Sequence, residues 1–412
     1  PEQHTGTQKH RQSKPKKNMD IDIPIAYGQP VRPPPSVPVP QQPTAEVAGH
    51  FVLPESRSPS DITPEQISRL KEQGFTEGLA RSLAASITAF PLRIWVVDNS
   101  GSMTAVDGHR FVETSKRNEV KVVSCTRWRE IQETVQYHAQ LAALLKAPTI
   151  FRLLNNPGAG VGSAHFGIGD RGEEFIEQDL ELAMRTMQNS SPGGVTPLAK
   201  HVREIRDQVT SLAPVLNQRG EKVAIILATD GMPTDDNGVC NEYYKRDFVD
   251  ALRGLEGLPV WVVVRLCTDD EDVVDFYNDL DAELELSIEV LDDFVEEADE
   301  VHDHNRWLNY ALPLHRCREM GFHHRIMDLM DERRLTAGEL LQFCRLLLGD
   351  SVFDGVRDPE ADFRGFLEVL ERGLKAEKEQ FNPVKHQMMP WVNVRKLRKD
   401  YMRKRQRWLH MK

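Results

Sequence analysis

Leu92-Arg93-Ile94-Trp95-Val96-Val97-Asp98-Asn99-Ser100-Gly101-Ser102-Met103 is an apolar run that stops abruptly at an aspartate. Apolar β-formers bounded by a turn signal predict a strand covered on both faces. In an open α/β sheet the crevice beyond the carboxyl ends of the strands is where ligands sit, so the polar groups after Val97 are placed to converge on something. Asp98, Ser100 and Ser102 offer one carboxylate and two hydroxyls at alternate positions. These are hard oxygen donors of the kind magnesium takes, too few to enclose the ion alone.

The Asp-x-Ser-x-Ser pattern resembles the metal-ion-dependent adhesion site (MIDAS) of von Willebrand factor A (vWA) domains. Such a site draws on three loops, so the resemblance implies a Thr and a further Asp downstream. Thr196 stands in SPGGVTPLAK after a helical segment, and Asp230 closes KVAIILATD, a second apolar strand ended by Asp-Gly. All three parts occur in order, each at the predicted end of its own element. Thr196, with Pro197 after it, would equally serve as a helix N-cap. The fold this implies is α/β: a doubly wound, mostly parallel sheet flanked by helices, Rossmann-like, over residues 90–304.

What the resemblance implies for function is metal-dependent protein recognition. Asp98, Ser100, Ser102, Thr196 and Asp230 hold Mg2+, with Mn2+ or Ca2+ as alternatives, and some of them act through water. The neutral hydroxyls leave the ion much of its charge, and an Asp or Glu of a partner protein completes its shell. A magnesium-dependent hydrolase or phosphoryl-transfer enzyme is the rival reading. It needs a base or nucleophile and positive groups beside the ion, and only His109 and Arg110 are near in sequence, so the chain is not expected to be an enzyme. A metal-free scaffold of the same fold is the third reading.

The chain has 412 residues with 40% hydrophobic content, enough for one sizeable core plus extra segments. A formal charge of −11 argues against a general nucleic-acid binder. Cys125, Cys240, Cys267, Cys317 and Cys344 are odd in number and scattered, without Cys-x-x-Cys or zinc spacing. That favours reduced thiols and an intracellular, cytoplasmic or nuclear setting. No apolar stretch approaches a membrane span.

Outside the central domain, residues 1–58 combine basic residues with YGQPVRPPPSVPVPQQP and are expected as an extended tail. Residues 59–89 predict a helical pair. Thr63-Pro64-Glu65-Gln66 is a capping box with Pro at the first helical position, Gly74 ends the first helix, and Thr76 caps the second. Helix, Gly-Phe, helix is similar to the first two-thirds of a ubiquitin-associated domain. The third helix is missing, because the Leu92 strand begins there, and packing against the central domain is the expected role.

Two β-rich runs, around Arg110 to Thr114 and Val120 to Cys125, flank Lys116-Arg117-Asn118 and predict a hairpin inserted beside the metal loop, a candidate for partner selectivity. The glycine cluster NNPGAGVGS lacks the Lys-Ser/Thr of a phosphate loop and reads as a turn. Residues 305–378 turn wholly helical, with Thr336-Ala337-Gly338-Glu339 as a second capping box. His302, His304, His315, His323 and His324 have no partner at metal-ligand spacing and read as surface or packing residues. The strongly basic tail within 379–412, RKLRKDYMRKRQRWLHMK, suits a nuclear-import signal, a strap onto nucleic acid or an anionic membrane, or docking on an acidic protein surface.

Overall fold

In the computed structural model the described residues are Leu53, 62–113 and 120–410. The proline-rich tail, apart from Leu53, and the Lys116-Arg117-Asn118 turn lie outside them.

The chain opens with α1 (Pro64–Glu72) and α2 (Glu77–Ala89). Thr63 and Gln66 form the reciprocal capping box, and Thr76 caps α2 through Leu79 N. Then come β1 (Leu92–Val97), the antiparallel hairpin of β2 (Gly108–Glu113) and β3 (Val120–Cys125), and α3 (Arg127–Leu145). The sheet continues with β4 (Thr149–Leu153) and β5 (His165–Ile168). After α4 (Ile176–Asn189) and α5 (Leu198–Arg219) follow β6 (Val223–Thr229), α6 (Glu242–Arg253), β7 (Val260–Leu266), α7 (Glu271–Glu283), β8 (Ile288–Leu291) and α8 (Phe294–His304). The last part is α9 (Leu312–Glu319), α10 (Arg325–Glu332), α11 (Ala337–Leu348), α12 (Phe363–Leu374), a small hairpin of β9 (Gln380–Asn382) and β10 (Gln387–Met389), and α13 (Val394–His410).

Six strands form one sheet in the order β5-β4-β1-β6-β7-β8, parallel except for β5 at the edge. The protein is thus a mixed α/β chain with a mostly parallel sheet. Every residue of β1, β6 and β7 is buried, because helices cover both faces. Alternation sorts the side chains. Leu92, Ile94 and Val96 pack with Val202, Ile205, Phe248 and Leu252 of α5 and α6, whereas Trp95 and Val97 pack with Ile131, Val135 and Met187 of α3 and α4.

Winding proceeds from β1 outward to β4 and β5, then resumes on the other side of β1 with β6. The reversal brings the carboxyl ends of β1 and β6 side by side, the position at which ligands enter such sheets.

A further apolar core joins the two ends of the described chain. Leu70, Phe75, Leu79 and Leu83 of the α1–α2 region pack with Trp307, Leu340, Phe343, Leu347 and Phe366 from the carboxyl-terminal helices. The first helical pair therefore packs against the carboxyl-terminal helices and, as the sequence suggested, also against the central domain, where Leu141 and Leu145 of α3 join the same core and Gln66 Nε2 donates to Leu144 O at 2.8 Å. Gly78 fits at this contact because a Cβ there would lie 2.2 Å from Gly349 N. The segment expected as a basic tail includes the β9–β10 hairpin, the buried Trp391, and α13, whose Leu397 is wholly buried.

Candidate functional site

Asp98 continues the β1 ladder by one bond, its N–H donating to Ala228 O at 2.8 Å, and then turns its carboxylate inward. Oδ1 accepts from Ser100 N at 2.8 Å, and Oδ2 accepts from the Thr229 hydroxyl at 2.7 Å. From there a chain of hydroxyls crosses to the next strand. Ser100 Oγ is 2.9 Å from Ser102 Oγ, and Ser102 Oγ donates to Asp230 Oδ1 at 2.8 Å. Four of the five oxygen-bearing residues picked out in the sequence are joined in this way.

Thr196 comes from the loop before α5. Its backbone exchanges two 3.0 Å bonds with Thr234 in the loop after β6, N–H to Thr234 Oγ1 and O from Thr234 N. A Cβ built on Gly231 would lie 3.9 Å from Ser102 Oγ and 4.0 Å from Thr196 Oγ1, so both hydroxyls face the same small space beside Gly231. The N-cap role is not taken up: Pro197 occupies that position in α5, with no side-chain cap bond.

Asn99 and Asn155 stitch the loops into register. Asn99 Oδ1 accepts from Asn155 N at 2.8 Å, Asn155 Oδ1 accepts from Val195 N at 3.1 Å, and Asn155 Nδ2 donates to Val195 O at 2.7 Å. Gly193 N donates to Asn99 O and Gly101 N to Gly194 O. Gly194 sits at φ +99°, and a Cβ on it would lie 2.3 Å from Asn155 Oδ1. A side chain here would be strained and would push the Thr196 loop off the Asp98 loop.

The electrostatics are one-sided. Asp98 is fully buried, and burial, reinforced by the neighbouring Asp230, pushes its carboxyl up to about 6. One cation meets the pair: Arg127 Nη1 donates to Asp230 Oδ2 at 3.0 Å. The same guanidinium grips Asp107 through Nε at 2.7 Å and Nη2 at 2.5 Å. Sequence reading missed Arg127 and Asp107, although a signal was present. Arg127 is the first residue of α3, the end of a helix where the dipole disfavours a positive charge. Such a residue needs a compensating partner.

The two residues closest to a catalytic suspicion have partners of their own. His109 Nδ1 lies 3.2 Å from Asp293 Oδ2, and Arg110 Nε donates to Glu133 Oε2 at 3.0 Å. Hydroxyls and Arg127 surround the Asp98–Asp230 pair. Two carboxylates and three hydroxyls with a deficit of positive charge suit a hard divalent cation with oxygen ligands. The run Asp235-Asp236-Asn237-Gly238 forms a closed turn in which Asp235 Oδ1 accepts from Asn237 N and Val239 N.

Among the buried histidines, His138 packs 4.8 Å from the Trp95 ring and contacts Glu319, and His315 bonds the Tyr310 hydroxyl. The exposed His323 lies tilted against Trp261, with ring centroids 3.9 Å apart. The five cysteines are free. Among the described residues no helix is long and apolar enough to cross a membrane.

No protein-family model matches the chain, and no curated protein matches it. Among solved structures it is similar to a point mutant of the PilB minor pilin from Streptococcus sanguinis, at 12% identity and a TM-score of 0.32. That alignment covers 49% of this chain and 57% of the pilin chain, and at this level it carries no argument.

Proposed function

We propose that residues 90–304 form a vWA-type domain whose Asp98 site binds Mg2+ and uses it to recognise an acidic residue of a partner protein. The observation that carries this reading is the convergence of three loops, after β1, before α5 and after β6, on one space lined by Asp98, Ser100, Ser102, Thr196 and Asp230. The sheet order, with its reversal at β1 and its antiparallel edge strand, supports it. A bound magnesium ion would supply a positively charged coordination position for a carboxylate, with Mn2+ or Ca2+ as substitutes. The chain's own contribution is rigid placement of two carboxylates and three hydroxyls, and neutral hydroxyls leave the ion able to attract an anion. Free cysteines fit a reducing, cytoplasmic or nuclear compartment.

One observation favours the metal-free scaffold as a second reading: the Arg127 guanidinium already supplies a positive charge to Asp230. The test is magnesium titration of thermal stability together with capture from extract. Mg2+ should raise the melting temperature of the wild type by linkage, Asp98→Ala should abolish that response, and EDTA should release captured partners. No magnesium response in the wild type favours the scaffold. Phosphate-ester turnover lost in Asp98→Ala would instead make the protein an enzyme.

A further inference from the structure

We propose that His109, Glu130 and Asp293 form a second divalent-metal site, of the zinc class, distinct from the Asp98 loops. One ligating atom from each, an imidazole nitrogen and two carboxylate oxygens, lie within 4.8 Å of one another. The residues come from three elements, β2, the first turn of α3, and the N-cap of α8. A bound ion would therefore fasten the β2–β3 hairpin to the body of the protein.

The carboxylates are divided in the manner of metal ligands. Glu130 Oε1 pairs with Arg265, while Oε2 faces the hairpin and accepts His109 N–H at 2.9 Å. Asp293 Oδ1 takes the N–H groups of Val295 at 2.6 Å and Glu296 at 3.0 Å, leaving Oδ2 toward His109 Nδ1 at 3.2 Å. In each case the outer oxygen is anchored and the inner one retains a lone pair for an ion. Outer partners of this kind fix ligand orientation in metal sites.

The surrounding space gives a second, independent observation. A cavity of about 110 Å³ is lined by the three residues together with His315 and Glu319. It has room for an ion and two or three waters, at roughly 30 Å³ per water. His315 and Glu319 also belong to its lining; His315 Nε2 and Arg265 Nε each stand 3.5 Å from Glu319 Oε1. The guanidinium groups lining the cavity already have carboxylates: Arg110 with Glu133, Arg316 with Glu319, and Arg265 with Glu130 Oε1. Asp293 has no Lys or Arg within ion-pair distance among the described residues. An imidazole beside two carboxylates, with positions open to water, selects zinc or a similar transition ion over magnesium or calcium, which prefer oxygen throughout.

The test uses the full chain stripped with EDTA, then dialysed against Zn2+ with elemental analysis. The wild type should retain one zinc equivalent in the presence of excess Mg2+. His109→Gln and Asp293→Asn should each weaken zinc binding at least tenfold; Asn preserves the α8 cap, so that variant should fold. Asp98→Ala should leave zinc binding unchanged, while magnesium-dependent stabilisation is read on the same samples, so this inference and the magnesium reading fail separately. In the Co2+-loaded wild type, one histidine should show a paramagnetically shifted imidazole resonance. Absence of zinc binding at micromolar concentrations, its retention in both ligand variants, its loss in Asp98→Ala, or a cobalt spectrum without the histidine signal would overturn the proposal.

Discussion

Two of the buried carboxylate clusters among the described residues are built on opposite electrostatic principles. At the carboxyl ends of β1 and β6, Asp98 takes the Thr229 hydroxyl and Asp230 the Ser102 hydroxyl, the Arg127 guanidinium pairs with Asp230 alone, and burial pushes Asp98 up to about 6. On α9, Glu319 is equally buried, yet burial is outweighed there by Arg316 and His315, which hold its carboxyl well below the usual range. Arg316 Nη1 lies 2.7 Å from Glu319 Oε2, and His138 Nε2 lies 3.0 Å from the same oxygen. His138 itself is pushed down to about 4 by burial. A neutral imidazole donating to an ionised carboxylate accounts for both directions. The Glu319 cluster is complete without a ligand, whereas the Asp98 pair lacks positive charge. A site that awaits a cation is distinguished by that deficit more than by the number of its carboxylates.

Breaking the complete cluster should have the largest effect. Glu319→Gln removes the counter-charge of the mostly buried Arg316 and one of the two carboxylates around the buried Arg265, and the loss should be about 3–5 kcal/mol by chemical denaturation. Asp98→Asn should behave differently. In EDTA it removes a buried like charge, and at pH 7 the variant should equal or exceed wild type by on the order of 1–2 kcal/mol. In saturating Mg2+ the order should reverse, because the wild type alone gains about 2.7 kcal/mol at a hundredfold excess over Kd. If Asp98→Asn costs as much in EDTA as Glu319→Gln, the contrast between the clusters is wrong.

Arg127→Gln sharpens the comparison at an intermediate scale. It deepens the charge deficit at Asp230 and frees Asp107, so stability in EDTA should fall by about 1–3 kcal/mol. Magnesium affinity, read from the concentration dependence of the melting temperature, should rise several-fold, since the ion no longer competes with a fixed guanidinium. Unchanged magnesium affinity would mean that Arg127 only positions Asp230.

The unequal legibility of the two clusters follows from the same physics. β1, β6 and β7 announce themselves because parallel strands buried on both faces are continuous apolar runs, and Asp98 and Asp230 end two of them. Thr196 stands out only because the vWA pattern asks for it; as residues, Thr-Pro before a helix says only cap. The Glu319 cluster is invisible in the sequence. Nothing in the helical pattern of residues 305–378 marks Glu319 as buried, and tertiary contact with Arg265 of β7 and His138 of α3 encloses it. The helix start shows that Arg127 needs a partner, but which partner, like the packing of α2 against α11, stays hidden, since pairings across a hundred residues or more leave no local period. The buried Arg93 shows the limit of patterning inside a strand. It follows the apolar register of β1 but ends on Met320 O at 3.1 Å and Phe90 O at 2.9 Å, anchoring the sheet to the loop after α9.

The smallest effect separates the clusters by sign. Asp98 is raised from 3.8 to about 6 in the folded protein, so between those values the native state binds more protons than the unfolded one. In EDTA its contribution is fully present below pH 4 and is lost as pH rises toward 6. His138 is depressed from 6.5 to about 4, so there the unfolded state binds more protons, and stability is lost as pH falls from 6.5 toward 4. Across pH 4–6 the two slopes oppose each other. Asp98→Asn should therefore leave a chain whose stability in EDTA rises more steeply with pH, while His138→Gln should leave one that rises less steeply or falls. Denaturation midpoints at half-unit pH steps would check this. Parallel shifts in the two variants would show that the deficit of positive charge at Asp98 is already neutralised in the folded protein, leaving no electrostatic reason for a cation to bind there.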